Sequence, residues 1–149
     1  MIDINIINDY GPVVSFKGKL IQKLIKTILL KYDINNAQIS IIISNKILLN
    51  KLKKDYFHLD QFTDVIAFNL EDGDNPLDGE IYISIDDILE NSKTYKVSFN
   101  DEFKRIMIHG ILHLLGLNDK TKEEKEKMTE LENINMKIIS EEIIFLNKK

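Results

Sequence analysis

Two histidines and an aspartate in the C-terminal third of the chain have the spacing of a metal site. His109 and His113 are separated by one helical turn, so their side chains lie on the same face of a helix. Gly116 can end that helix, and Asp119 follows where the chain can turn back toward the imidazoles. Three protein ligands and one open position are typical of catalytic zinc. We predict that His109, His113 and Asp119 bind a divalent metal, with the histidines as metal-water activators.

Other interpretations of these residues are less well supported. In a purely structural role, each of two neighbouring buried imidazoles would need its own hydrogen-bond partner. An aspartate ligand makes the site harder, which lets Mn²⁺ or Mg²⁺ compete better with zinc. Metalloproteases carry glutamate directly after the first histidine as a general base, and here that position is Gly110. The sequence therefore favours a metal hydrolase other than a peptidase.

A hydrophobic helix over residues 99–115 must position the two histidines. Its apolar side chains surround the axis almost completely, which is typical of a buried helix. Ser98 or Asn100 can cap its first turn. Gly116 stands where helices often end in the left-handed conformation. We expect this helix to lie at the centre of the fold.

Strands and further helices are predicted around this central helix. Alternating or β-branched apolar residues predict strands over residues 2–7, 38–44, 63–70 and 80–86. Apolar spacing predicts helices over residues 19–31, 45–53 and 87–96, and a capping box at Thr121 and Glu124 starts a final helix. Residues 71–79 are rich in turn formers and predict a solvated hairpin connection. The expected class is α+β, a small mixed sheet of about four strands packed with helices around a buried, metal-bearing central helix.

Composition limits the organisation and the environment of the protein. The chain of 149 residues is 44% hydrophobic and 30% charged, which fits one domain over residues 1–149. Because it contains no cysteine, disulfides and thiolate metal ligands are excluded. Neither a signal peptide nor an apolar stretch long enough to cross a bilayer is visible, so we predict a cytoplasmic protein with no membrane partner.

The charge distribution argues against non-specific nucleic-acid binding through global charge, because the net charge is −4. Local basic surfaces are still possible. Two groups of lysines stand out in the first half of the chain: Lys17, Lys19, Lys23 and Lys26, and then Lys51, Lys53 and Lys54. We interpret both groups first as solvated helix faces.

Three sequence blocks carry a family resemblance. Residues 109–116 (HGILHLLG) resemble the signature of the YbeY family, bacterial single-strand endoribonucleases tied to ribosomal RNA maturation. Residues 63–68 (TDVIAF) and 79–84 (GEIYIS) resemble two strands of that family, TDVLSF and GDI-x-IS. Glu102 lies at the position of the family's glutamate ahead of the signature, and Met128 and Glu132 fall in its final helix.

This resemblance implies a function. It implies one zinc ion per chain and single-strand endoribonuclease activity in the processing of the 3′ end of small-subunit ribosomal RNA and in ribosome assembly. The implied partners are ribosomal RNA and the ribosome, with ribosomal or assembly proteins as further candidates. The alternatives are a ribosome-assembly binding factor with a mainly structural metal, and a metallopeptidase-like hydrolase, which Gly110 disfavours.

The chain departs from the family pattern at two positions. The family commonly completes its metal triad with histidine, and Asp119 stands there in this chain. Many members carry an arginine six residues before the TDVLSF block, where this chain has Phe57 followed by His58. We hypothesise that His58 replaces the arginine as a contact to RNA. Glu102 lies about 10 Å from His109 along the helix, so we assign it either a structural role or a place behind the metal ligands.

Overall fold

A mixed sheet of four strands forms the centre of the computed structural model, which describes residues 1–70 and 77–147. The strands of the described residues are β1 (Ile2–Asn8), β2 (Val14–Phe16), β3 (Ala37–Ser44), β4 (Val65–Asn69), β5 (Leu77–Ser84) and β6 (Ile144–Leu146). The central sheet has the order β1-β3-β5-β4, in which β1, β3 and β5 are parallel and β4 is antiparallel to β5. The predicted α+β class with about four strands in a mixed sheet is confirmed.

Five helices pack around this sheet in the described part of the chain. They are α1 (Gly18–Lys31), α2 (Lys46–Phe57), α3 (Ile85–Tyr95), α4 (Phe99–Leu114) and α5 (Lys122–Met136). α4 contacts β4 and β5 as well as α3 and α5, which makes it the central helix that the sequence predicts. No helix in residues 1–70 and 77–147 is both long and apolar enough to cross a membrane.

Two glycines allow α4 to lie directly on β5. A Cβ atom on Gly110 of α4 would lie 2.9 Å from the Cγ2 atom of Ile81, which is fully buried. A Cβ atom on Gly79 of β5 would lie 2.8 Å from both Cδ atoms of Leu114. Real Cβ contacts are longer than this, because protein interiors are packed to near van der Waals distance. The absence of side chains at these two positions therefore sets the distance between the helix and the sheet.

The side of α4 that faces away from the sheet is not fully buried. Most of the helix is inaccessible to solvent, as the apolar pattern predicts, but Arg105, Ile106, His109 and His113 are half-buried. Arg105, His109 and His113 follow one another at one-turn spacing along a single stripe, and Ile106 lies beside it. The histidines thus lie on the one face of the central helix that solvent and ligands can reach.

Several boundaries differ from the sequence predictions. β2 and β6 were not predicted, and they pair antiparallel as a separate two-stranded sheet. The first turn of α4 is capped by Ser98, whereas the side chain of Asn100 accepts hydrogen bonds from the backbone of Ile143 and Ile144 and so holds β6 against the helix. α2 continues to Phe57, beyond the predicted end at residue 53. Residues 71–76 of the predicted hairpin connection lie outside the described residues.

Candidate metal centre

The structure brings the three predicted metal ligands together at the open side of α4. The Nε2 atoms of His109 and His113 are 2.9 Å apart. The Oδ2 atom of Asp119 lies 3.3 Å from the first of them and 3.5 Å from the second. Ligand atoms at about 2.0–2.1 Å from a tetrahedral zinc ion lie roughly 3.3 Å from one another. The separations of the three side chains therefore fit a group that can bind a metal ion.

The hydrogen bonds on the far side of each imidazole determine which nitrogens are free. Nδ1 of His109 lies 2.7 Å from a carboxylate oxygen of Glu132, and Nδ1 of His113 lies 2.9 Å from the backbone oxygen of Leu117. Both partners only accept hydrogen bonds, so in the neutral imidazoles each Nδ1 carries the proton and each Nε2 presents a lone pair. Two lone pairs and the Asp119 carboxylate thus converge without a donor between them. A bound cation satisfies all three.

The end of α4 positions His113 and the loop that carries Asp119. Gly116 has φ of +95°, a conformation that favours glycine, and reverses the chain after Leu115. Backbone hydrogen bonds from Gly116 to His113 and from Leu117 to Leu112 close the helix end in a Schellman motif. The same turn presents the carbonyl of Leu117 to the His113 ring. The predicted function of Gly116 as a helix end is therefore coupled directly to the orientation of a predicted metal ligand.

Glu132 orients His109 from the neighbouring helix α5. Its buried carboxylate accepts hydrogen bonds from His109 and from Arg105, the latter at 3.0 Å. Burial lowers the pKa of His109, but the hydrogen bond and negative charge of Glu132, together with Asp119, raise the pKa more, so that it lies above its usual value. The sequence analysis did not predict this role. Local spacing could not reveal it, because Glu132 is 23 residues from His109, and the resemblance placed Glu132 only in the family's final helix.

Glu132→Gln is expected to weaken metal affinity by about 10- to 100-fold, because carboxylates behind ligating histidines fix the ring and raise its basicity. Glutamine retains an acceptor atom and loses the charge. Zinc affinity measured by competition with a chromophoric chelator checks this. Glu130→Gln, an exposed substitution on the same helix, is the matched control and should bind zinc like the unmodified protein. Equal affinities in both variants would show that packing alone orients His109.

A second cavity, of about 390 Å³, lies behind His109 and is rich in carboxylates. The amide of Asn91 donates to Asp64 at 3.1 Å and to Glu102 at 3.3 Å. Burial is the main cause that raises the pKa of both carboxyl groups, and their mutual repulsion adds to the pKa of Glu102. Glu102 is thus held by Asn91, and its hydrogen bonds in the described structure do not involve the predicted metal ligands.

Glu102→Gln is expected to change how stability depends on pH. A carboxyl group whose pKa is raised in the folded state contributes stability below its unfolded pKa, and this contribution is lost as pH rises through the folded value. The glutamine variant lacks this loss, so its stability relative to the unmodified protein should increase from pH 4 to pH 8. Urea unfolding of both metal-free proteins across this range checks the sign. A difference that stays constant with pH would contradict it.

The metal group opens into a cleft of about 470 Å³ between α4, β4 and the end of α2. The cleft is lined by residues 63–67, by the three predicted ligands with Gly110, and by Lys53 and Phe57. Lys53 and Phe57 were not predicted as cleft residues, because the sequence does not show that the end of α2 faces β4. His58 is the exposed residue that ends α2, with φ of +57°, and it is not among the residues that line the cleft.

Comparisons with known proteins agree on one family. A family model described as Endoribonuclease YbeY matches residues 9–140. The chain is 35% identical over 128 residues to Endoribonuclease YbeY of Parabacteroides distasonis, an alignment that covers 86% of this chain and 89% of the relative. It is 36% identical over 118 residues to Endoribonuclease YbeY of Amoebophilus asiaticus, covering 79% of this chain and 80% of that protein.

A solved structure has the same fold. The solution structure of TM1509 from Thermotoga maritima matches with a TM-score of 0.57 and 28% sequence identity. The match covers 91% of this chain and 89% of that chain. The similarity therefore extends over nearly the whole fold, well beyond the three blocks that carry the sequence resemblance.

Proposed function

This chain belongs to the YbeY family of endoribonucleases, and we propose that it is a metal-dependent endoribonuclease that cleaves single-stranded RNA. The convergence of two imidazole lone pairs and a carboxylate at the floor of an open cleft carries the proposal. Such a group is accessible to a large substrate, since the side chains of His109 and His113 are 21% and 30% exposed.

His109, His113 and Asp119 would hold the metal, which we propose is zinc. Bound there, a divalent metal supplies a Lewis acid to the scissile phosphate and makes a water molecule more acidic. The protein keeps both rings in the ligand tautomer through Glu132 and the carbonyl of Leu117. The carboxylate oxygen of Asp119 also suits Mn²⁺ or Mg²⁺. We propose zinc because the other two ligands are imidazole nitrogens.

The structure gives a physical reason to disfavour a peptidase. Position 110, where metalloproteases carry their catalytic glutamate, packs against the sheet. A Cβ atom there would lie 2.9 Å from Ile81 and 3.4 Å from Val65. A glutamate at this position has no space within the present packing, so the peptidase base is excluded by contact as well as by sequence.

The finer points of the function follow from the family and are part of the proposal. We propose ribosomal RNA, processed at the 3′ end of the small-subunit species, as the substrate and the ribosome as the partner, which would place the protein in the cytoplasm. Residues 1–149 would act as one catalytic unit. His58 is proposed as an RNA contact beside the cleft, and unchanged RNA affinity and cleavage in His58→Ala would remove that assignment.

The proposal is tested by cleavage of one RNA sequence in two forms. An unstructured oligonucleotide should be cut by the zinc-loaded protein, and the same strand annealed to its complement should be cut much more slowly, because paired bases cannot splay into the cleft. Gel analysis of end-labelled RNA measures both rates. Equal cleavage of both forms, or cleavage of neither, would contradict the proposed activity.

A further inference from the structure

A cluster of four aromatic rings adjoins the cleft through Phe57, which lines it. We call it the aromatic patch, and it consists of Tyr56, Phe57, Phe68 and Tyr82. The Phe57 and Phe68 rings are stacked with centroids 5.8 Å apart and 23° between their planes. Tyr56 is 66% exposed and Phe57 is 42% exposed. Exposed apolar groups that adjoin each other mark surfaces that bind a ligand.

Phe57 and Lys53 link the aromatic patch to the metal group. They lie one turn apart on α2, and both line the cleft that contains the three proposed ligands. The Nζ atom of Lys53 lies 4.7 Å from the centroid of the Phe57 ring. Neighbouring Lys54 pairs with Asp60 at 3.6 Å, whereas Lys53 has no carboxylate partner within the described residues. An ammonium group held only by a ring contact is available to an anion.

Lys53 has a particular electrostatic position in the cleft. Among the described lining residues it is the single lysine or arginine, and Asp64 and Asp119 contribute negative charge nearby. The positive charge that attracts a polyanion into the cleft therefore lies on the α2 side, next to the Phe57 ring. A second lysine–phenylalanine pair involves the start of α2, with Lys46 Nζ 5.2 Å from the ring of Phe62, which is 61% exposed.

We propose that Phe57 stacks an unpaired base of the RNA and that Lys53 binds the adjacent phosphate, so that the pair forms a nucleotide subsite beside the metal. This inference rests on the proposed function and specifies how that site holds its substrate. Aromatic rings stack on any base, and basic side chains track the backbone, in proteins that bind single strands. When a base covers the ring, the flexible Lys53 side chain moves from the ring to the phosphate.

The subsite explains a preference for single strands by geometry. In an A-form duplex the base faces are covered by their neighbours, and only an unpaired nucleotide can lay its face on a protein ring. Phe68 stacks on the Phe57 ring, and this contact restricts the movement of that ring. A restricted ring loses less freedom on binding, which favours a subsite over a chance contact.

The test is an RNA-binding measurement that does not depend on cleavage. It uses the full chain carrying His113→Ala, so that the RNA stays intact, and an unstructured RNA containing 2-aminopurine, whose fluorescence is quenched by stacking. Phe57→Leu keeps an apolar side chain against Phe68 and removes the stacking ring; Lys53→Gln removes the charge. The matched controls are Phe145→Leu and Lys17→Gln. They alter a similar pair, 5.6 Å apart and outside the cleft, in which Phe145 lies on β6 and Lys17 directly follows β2.

The expected results separate the two side chains. Phe57→Leu should weaken RNA binding by roughly 5- to 100-fold and abolish the quenching at one position. Lys53→Gln should weaken binding and reduce the slope of log affinity against log salt by about 0.7. An RNA with an abasic residue at the quenched position should bind more weakly to the protein with native Phe57, and Phe57→Leu should then have no further effect. The control variants should bind like their parent.

Two results would overturn the subsite. One is equal affinity of the parent protein for intact and abasic RNA, a comparison that needs no substitution in the aromatic patch. The other is Phe57→Leu and Lys53→Gln variants that bind and quench like the parent. Cleavage by the otherwise unmodified chain is assayed separately. If RNA is cleaved but both binding results are negative, the subsite is refuted and the proposed function is retained. If the base stacks but RNA is not cleaved, the subsite is retained and the proposed function is refuted.

Discussion

His113→Ala is expected to remove the bound metal and to reduce cleavage of single-stranded RNA by more than about a hundredfold, while the chain stays folded. Removal of a side chain that supports a ligand already weakens metal affinity by about 10- to 100-fold, and loss of a ligand itself has a larger effect. The His113 ring is 30% exposed, so its truncation opens no deep cavity. We expect the stability of the metal-free protein to change by less than about 1 kcal/mol.

Three measurements on the same preparation check this prediction: metal content by mass spectrometry, cleavage rate, and thermal unfolding after chelation. Glu130→Gln again serves as the control and should keep its metal and its activity. Undiminished cleavage by His113→Ala would contradict the assigned metal centre. An unfolded variant would show that His113 supports the end of α4 itself, and Asp119→Asn, in the loop beyond the helix, would then test the site.

Gly110→Val is expected to destabilise the protein by about 1–3 kcal/mol, the usual effect of overpacking a filled core. The added Cβ alone would lie 2.9 Å from Ile81, in the interface between α4 and β5. Relief of this contact requires the helix to move away from the sheet. His109, which directly precedes Gly110, would move with the helix. We therefore expect metal affinity and cleavage to fall together with stability.

Thermal unfolding measures the effect, since each kcal/mol lowers the melting temperature of a domain of this size by about 2–4 °C. Gly18→Val is the matched control. A Cβ atom on Gly18 at the start of α1 would lie 3.6 Å from Phe16, an ordinary contact distance. Equal melting temperatures for the two valine variants would show that the helix and the sheet are not held at contact distance by Gly110.

The features that the sequence predicted depend on short-range regularities. Helical spacing placed His109 and His113 on one face, and Gly116 predicted the turn that returns Asp119 to them. β-branched runs located the four strands of the mixed sheet, although the bounds of β5 were shifted. Each of these predictions uses residues within one or two turns of one another, where the backbone geometry is nearly determined by the local sequence.

The features that the sequence missed depend on contacts between distant segments. β2 and β6 are each three residues long, too short for an alternating pattern, and the pairing brings Ser15 against Asn147, which is 132 residues away. Glu132 reaches His109 because α5 folds back along α4. Phe57 faces the metal cleft because α2 ends beside β4. No local rule contains this information, so only the folded structure shows it.

RNA cleavage is expected to depend on a metal bound by His109, His113 and Asp119. The most direct measurement removes the metal with a chelator, determines the residual metal content, and follows cleavage of an unstructured RNA before and after zinc is restored. We predict that cleavage disappears with the metal and returns when roughly one equivalent of zinc per chain has been bound. Full cleavage by protein shown to contain no metal would contradict the account.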